Sequence, residues 1–415
     1  MAEFDVAIAG AGIVGVSAAL WARMRGLSVV LIDPAAPGSG TSYGNACTLA
    51  TYGCLPVNDP AVLRDLPTLL FGRDSPLSIS WRHALRHPRW MLTFLANCRA
   101  GPSGRIAAQL ATLLAHADGG LNPLIEAAGA QDLVKARGQL TVWSTGKAGE
   151  AAEAGLARRR ALGVSWREVS AAEAREMEPG LVLPVARAVL FDDARHVSDP
   201  EALVQRFHAR FTELGGESVV AQVSEMRERG DGVEVVAGGQ VIGAGRAVVA
   251  AGAFSGRIAG AGTARLPLGT ERGYHLQFGH DVRRVARPVG WAEGGFYASP
   301  MARGTRLAGT VEIAGLEAAA NRGRLAYLRR RGEEMLGPLP GPESEWLGFR
   351  PTLPDSLPVI GVRPGAERII HAFGHQHLGL TLGGVTGRIV ADLAEGRQPN
   401  IDISGLRADR RFWGA

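Results

Sequence analysis

The chain has 415 residues, 46% of them apolar and 20% charged, and a formal net charge of +5. That composition excludes disorder and suits a globular protein with a large core, at a length that predicts two domains. Lys135 and Lys147 are the only lysines, so arginine carries the positive charge; without a basic patch interleaved with stacking aromatics, this balance does not point to nucleic acid.

Cys47, Cys54 and Cys98 form no CxxC pair and have no histidine at zinc spacing, so they read as reduced thiols and no metal is expected. The first predicted strand begins at residue 4, which leaves no room for a signal peptide, and no run of about 18 apolar residues occurs. The expectation is a cytoplasmic chain that does not span a membrane.

Phe4–Ala9 is a short apolar run with β-branched residues, followed by Gly10-Ala11-Gly12-Ile13-Val14-Gly15 and a helical pattern from Val16 to Arg25. A second strand, Ser28–Ile32, ends at Asp33. A GxGxxG turn between strand and helix, with an acid closing the next strand, is the setting an adenine dinucleotide requires. Gly10 permits the tight turn, Gly12 lets the backbone approach a pyrophosphate, and Gly15 lets the helix pack on the strand. The helix start at Ile13 and Val14 then faces the phosphates. Asp33 accepts both ribose hydroxyls and would repel a 2′-phosphate, which argues against NADP. This unit alone does not choose between FAD and NAD.

The next stretch, Pro34 to Ala46, is again rich in Gly, Ser and Thr. Thr41, Ser42, Asn45, Ala46, Cys47 and Thr48 offer backbone N–H and hydroxyl donors that suit the rest of a diphosphate and a ribityl chain, although composition alone also allows a plain loop. The segment resembles the flavin-binding start of the D-amino-acid oxidase superfamily, in particular its bacterial D-amino-acid dehydrogenase and glycine oxidase branch, where a GTS-x-x-NA-like stretch runs under the flavin. The resemblance extends, with gaps, over the whole chain. It implies an α/β fold: a Rossmann-like FAD-binding domain with an inserted α+β substrate domain built on an antiparallel sheet. The chain departs from the pattern at Cys47, where a Gly often follows the Asn-Ala pair. Covalent flavin attachment in the sarcosine oxidase branch uses a Cys nearer the C-terminus, and none lies beyond Cys98, so the FAD is expected to be non-covalent.

Residues 58 to 135 read as helical, with Leu63, Leu66, Leu69 and Leu70, then Met91, Leu92, Phe94 and Leu95, at spacings of three and four. Arg82, His83, Arg86, His87 and Arg89, beside Trp81 and Trp90, suit water or a peripheral contact with the inner face of a membrane. The triplets Arg158–Arg160 and Arg329–Arg331 read as solvated helix faces. Gln139–Trp143 and Ala188–Phe191 read as strands. Asp199 and Pro200 are N-cap and first residue of a helix that ends near Gly215. A strand Val219–Val223, a hairpin of Val233–Val236 and Val241–Gly243, and a strand Ala247–Ala251 follow. By resemblance, Val223 meets the adenine through its backbone, and Ala250 to Ser255, with Ala251 and Gly252, matches an A-x-GAW/F-S pattern covering the flavin nucleotide. Gly260 and Gly262 imitate a second glycine turn but lack the strand and the acid, so no NAD(P)H site is implied.

Short β-like runs at Tyr274–Phe278, Gly295–Ala298 and Leu307–Ile313 predict the antiparallel sheet. The expected division is 1–57, 195–265 and 347–415 for FAD and 58–194 and 266–346 for substrate. Gly348 to Gly361 resembles the family's G-x-RP-x-x-x-D-x-x-P-x-IG signature, whose Arg anchors the substrate carboxylate; Arg350 holds that place, and a guanidinium fork matches a carboxylate bidentately. An Arg pairing an acid at a domain interface is the plainer alternative. Phe373 to Gly384 opens a helix reaching about Leu393, whose N-terminus would stabilise an anionic reduced flavin; Leu378, Gly379, Leu380 and Thr381 match the residues concerned. His375 and His377 are either loop histidines or groups beside the ring, and we read His377 as the latter. Tyr297 matches a YxxP tyrosine that helps hold the carboxylate, or is a buried Tyr satisfied by backbone. His275, Tyr274 and Glu312 are further candidates on the sheet, Glu312 either reading a distal ammonium or hydroxyl or standing as an exposed strand acid.

The resemblance implies an enzyme: FAD-dependent oxidative deamination of a D-amino acid or cyclic imino acid by hydride transfer from Cα to flavin N5, giving an imine or 2-oxo acid, with O2 or a quinone as acceptor. A cis-4-hydroxy-D-proline (D-hydroxyproline) dehydrogenase is its narrower form. An aromatic-ring hydroxylase would carry DG and GD motifs that do not occur in the right context here. A non-catalytic flavoprotein subunit of a dehydrogenase complex is the reading of another class; it predicts bound FAD that no amino acid reduces. The sequence carries no signal of oligomeric state.

Overall fold

The computed structural model describes residues 3–71 and 75–412, apart from the side chains of Asp65 and of residues 67–71, so the spacing expected through Leu69 and Leu70 lies outside the described side chains. Phe4–Ala9 forms the middle of an eight-stranded sheet, parallel to Val29–Asp33 on one side and to Gln240–Val249 on the other. Glu217–Val220 extends the sheet beyond Val29–Asp33, and Ile369–Phe373 runs parallel to the far half of Gln240–Val249. A fully covered parallel sheet needs near-continuous apolar strands, and Val6, Ile8, Val30, Leu31, Val248 and Ile370 are all buried.

Two readings of this region change. The expected strand Val219–Val223 divides: Glu217–Val220 stays beside Val29–Asp33, and Val223 instead opens the antiparallel strand Val223–Arg229. No Gly or Pro marks that break, which is set by pairing partners. Conversely, the hairpin arm at Val241 and the strand at Ala247 are one ten-residue strand, whose first half pairs with Gly232–Ala237 and whose second half joins the parallel sheet.

The helices Ile13–Met24 and Gly379–Ala394 cross on small residues: a Cβ on Gly387 would stand 2.7 Å from the Ser17 backbone, and one on Gly383 2.9 Å from Ile13 Cγ1. That close crossing brings the two helix starts, Ile13 and Gly379, to the same side of the sheet. Asp199 caps the helix Pro200–Glu213 by accepting from Ala202 N, as its sequence predicts.

The second sheet has nine strands, in the order Ser344–Thr352, Gly269–Gln277, Gly304–Ile313, Phe296–Met301, Val289–Trp291, Gln139–Trp143, Arg187–Phe191 and Arg167–Val169, with Leu77–Ile79 added to Gly304–Ile313. It is mainly antiparallel, but Val289–Trp291 pairs with Gln139–Trp143, and Leu77–Ile79 with Gly304–Ile313, in parallel. Ser344–Thr352 continues in this sheet past the division expected at residue 347; its Gly- and Pro-containing signature hid a strand.

Candidate active site

A cavity of about 920 Å³ is lined by residues of both sheets. At one end is the glycine turn. Gly10 has φ +113°, and a Cβ there would stand 2.4 Å from the Ala250 carbonyl oxygen; a Cβ on Gly15 would fall 1.8 Å from Gly10 O. Gly15 is therefore a packing residue behind the wall, whereas Gly12 and Gly252 present bare backbone to the cavity: their absent Cβ atoms would meet only Ser42 Oγ at 3.5 Å and open space, respectively. Asp33 accepts from Ala11 N at 2.7 Å on Oδ2 and from Ala35 N at 2.8 Å on Oδ1. Each oxygen keeps a lone pair for a hydroxyl.

The loop beyond Asp33 folds back over this turn. Ser42 Oγ accepts from Ile13 N at 2.9 Å, the Thr41 hydroxyl donates to Phe349 O at 3.0 Å, and Asn45 donates to Ser42 O while accepting from Cys47 N, both at 2.6 Å. Pro34, Ala46, Cys47, Thr48, Val14, Val223 and Ala251 share the wall. Cys47 has φ +69°, which accounts for glycine being frequent at such a position. Burial pushes its thiol up to about 11. Donor-rich loop, bare glycine backbone and free carboxylate lone pairs together fit the diphosphate, ribityl chain and ribose of FAD.

Gly379 and Leu380 also line the cavity, but Leu378 and Thr381 do not. Leu378 is 2% exposed, packed in the core, and the Thr381 hydroxyl accepts from Ala50 N at 2.9 Å. These two expected flavin contacts instead hold the helix start and the 48–50 segment in place.

At the other end Arg350 extends from Ser344–Thr352 across Gly273 to donate to Thr310 O at 3.0 Å. A Cβ on Gly273 would stand 2.3 Å from Arg350 Nη2, so only glycine allows this path. Thr310, at φ +58°, sits where the pairing of Gly304–Ile313 with Gly269–Gln277 shifts register. Among the described residues no carboxylate lies within 4 Å of the guanidinium, so its fork is open to a ligand. Burial lowers the Arg350 pKa and the nearby Glu271 raises it. Glu271 is 4% exposed, and burial raises its carboxyl while Arg350 lowers it.

Tyr297 and Tyr52 line the same end. Tyr52 stacks on Phe191 with ring centroids 4.4 Å apart, and its buried hydroxyl has no hydrogen-bond partner among the described residues. Burial first, and the Tyr297 phenol second, push it well above the usual tyrosine value. His377 is exposed on the cavity wall; desolvation there and the Arg350 charge lower it to about 4, leaving a neutral imidazole. His375 donates to or accepts from Thr386 Oγ1 at 2.9 Å and is lowered to about 4 by burial.

Three expectations are corrected. His275 is fully buried outside the cavity wall, with Nδ1 on Gly44 O at 3.1 Å and its ring stacked on Trp346; it holds the flavin loop rather than meeting substrate. Glu312 is neither exposed nor substrate-facing: it pairs with Arg272 at 3.1 Å and accepts from Tyr274 Oη on the far side of the sheet. Arg159, read as solvated, lines the cavity and donates to Tyr52 O at 3.3 Å. Sequence reasoning missed Glu271, Gly273, Thr310 and Tyr52; the Glu271-Arg272-Gly273-Tyr274 run was the one available signal.

The FAD dependent oxidoreductase family, DAO, matches residues 5–393. A D-amino-acid oxidase of Bradyrhizobium diazoefficiens is 34% identical over 414 residues, with 98% of each chain covered. D-amino acid dehydrogenase 2 of Pseudomonas aeruginosa is 30% identical, with 97% of each covered. Among solved structures, glycine oxidase from Geobacillus kaustophilus superposes with a TM-score of 0.74 at 21% identity, covering 98% of this chain and 99% of its own, which shows a shared fold.

Proposed function

Because the chain belongs to the DAO family of FAD-dependent oxidoreductases, we propose that its substrate is a D-amino acid, held by its carboxylate on Arg350. The enzyme is an FAD-dependent amino-acid oxidoreductase. The observation that carries the substrate reading is the open Arg350 fork on the cavity wall: a largely desolvated cation with no carboxylate in contact is costly, and a carboxylate ligand completes it.

In this reading Gly10, Gly12, Asp33, Thr41, Ser42 and the Gly379 helix start hold FAD, which supplies the hydride-accepting chemistry when bound. Arg350 fixes the carboxylate, and Tyr297 and Tyr52 offer phenol donors beside it. Neutral His377 adds no competing charge. Holding the substrate in one orientation against the cofactor then does most of the work. We assign the eight-stranded sheet to the cofactor and the nine-stranded sheet to the substrate. The relatives do not single out cis-4-hydroxy-D-proline.

Electrons leave to O2 or a quinone. Among the described residues no helix is long and apolar enough to cross a membrane; any peripheral contact would fall on the face bearing exposed Trp81, Leu85 and Leu92 with Arg82, Arg86 and Arg89. The test is product analysis: a D-amino acid should give ammonia and its 2-oxo acid in equal amounts, with matching O2 uptake or quinone-analogue reduction. Absence of ammonia from every D-amino acid, with FAD bound, would overturn the reading.

A further inference from the structure

Two opposite charges face each other at the reacting end of the cavity. Glu271 and Arg350 are direct cross-strand partners in the antiparallel pair Gly269–Gln277 with Ser344–Thr352, so their side chains leave the same face of the sheet, about 5 Å apart at Cβ. Both line the cavity. Glu271 Oε1 accepts a long hydrogen bond from Gln376 Nε2 at 3.4 Å, and Oε2 takes none from the described residues. Among the described residues this buried acid forms no ion pair within 4 Å.

An amino acid carries its ammonium one carbon from its carboxylate, so a site that binds it needs a cation acceptor beside its anion acceptor. Neighbouring cross-strand positions supply that spacing. We propose, resting on the amino-acid reading above, that Glu271 binds the substrate ammonium and takes one of its protons. The ammonium N–H bond breaks and the proton moves to the Glu271 carboxylate, leaving a neutral amine and a neutral acid. The nitrogen lone pair then supports departure of hydride from Cα to FAD, and the two-electron oxidation leaves an iminium that water hydrolyses.

The other groups around Glu271 do not compete for this proton. His377 and His375, on the loop before Gly379, are lowered to about 4 and are neutral at neutral pH. Gln376 is uncharged, and the Tyr52 phenol is pushed up rather than ionised. Arg257, further along the wall, is bound to Glu317, and Arg159 donates to Tyr52 O. Arg350 remains as the charge that faces Glu271.

The test uses oxidised holoenzyme and two measurements. Benzoate, a carboxylate without an ammonium, should bind the wild type more tightly as pH falls, because Glu271 must be protonated to accept it. Glu271→Gln should bind it about tenfold tighter at pH 8 and lose most of the pH dependence. In anaerobic stopped flow with a D-amino acid, Glu271→Gln should reduce flavin about 10²-fold more slowly at pH 7 and recover as the free amine itself deprotonates at higher pH. If the variant loses FAD, proton uptake on benzoate binding to the wild type decides, read by calorimetry in two buffers: about one proton supports the proposal and none overturns it. Unchanged benzoate affinity and an unchanged reduction profile in Glu271→Gln would also overturn it. Failure of every amino acid to reduce the wild type is a different result, which sinks the substrate reading instead.

Discussion

Arg350 holds the carbonyl of Thr310 at 3.0 Å from two strands away, passing over Gly273 to reach it. The distorted backbone at Thr310 turns that carbonyl towards the guanidinium, so the cation is fixed by a peptide oxygen rather than by a carboxylate that a substrate would have to displace. Placement of the charge and its availability come from the same contact.

Replacing Arg350 with Ala should therefore weaken carboxylate binding while FAD stays in place. Loss of one partner of a buried charge pair costs about 2–5 kcal/mol, roughly 30- to several-thousand-fold in kcat/KM. FAD content is read from the flavin spectrum. Loss of FAD in step with activity would make Arg350 structural.

Gly273→Ala should mimic that defect without touching the charge. Its Cβ would stand 2.3 Å from Nη2, and a displacement of about 1 Å can cost about 10²-fold in kcat/KM. Steady-state kinetics and a melting curve separate the outcomes: a wild-type kcat/KM in a folded variant would show that the path over Gly273 is not required.

All three cysteines are buried, and their thiols are pushed up, Cys47 and Cys98 to about 11. None should react with a thiol reagent at pH 8 in the folded protein, and all three should react on unfolding. Cys47→Gly should be about 1 kcal/mol more stable than Cys47→Ala, because the left-handed conformation costs a side chain about that much. Equal stability of the two variants would remove the strain argument.

Acid should destabilise the protein through its buried histidines. Burial lowers His275 to about 3 and His375 to about 4, against 6.5 for the free group. Below pH 6.5 the unfolded chain binds protons that the folded one does not, so stability falls as pH drops from 6.5 towards 4, by up to about 1.4 kcal/mol per pH unit for each. Melting temperatures between pH 7 and 4.5 should fall steeply, and His275→Gln should flatten the slope. A flat profile would contradict the neutral-histidine assignment.

The nucleotide end was legible because Phe4 to Asp33 is one continuous strand, turn, helix and strand whose geometry is local. Arg350 stood out through its signature, but what holds it did not: Gly273 and Thr310 meet it only through the register of three strands. The register shift at Thr310 also undid the reading of Glu312, since a bulge reverses which residues face the cavity and sends Glu312 to Arg272 on the far side. His275 failed for another reason. It lies on the same strand as Glu271, but Trp346 and Tyr43 cover it, and such covering belongs to tertiary packing.

Oxidation of a D-amino acid anchored on Arg350 leaves its signature in the flavin itself. The most direct measurement is the anaerobic flavin spectrum of the holoenzyme during titration with D-, L- and cyclic amino acids. Bleaching of the oxidised flavin band by one or more D-amino acids is expected in wild type, with a strongly weakened response in Arg350→Ala that retains FAD. An intact flavin spectrum with every D- and cyclic amino acid would contradict it.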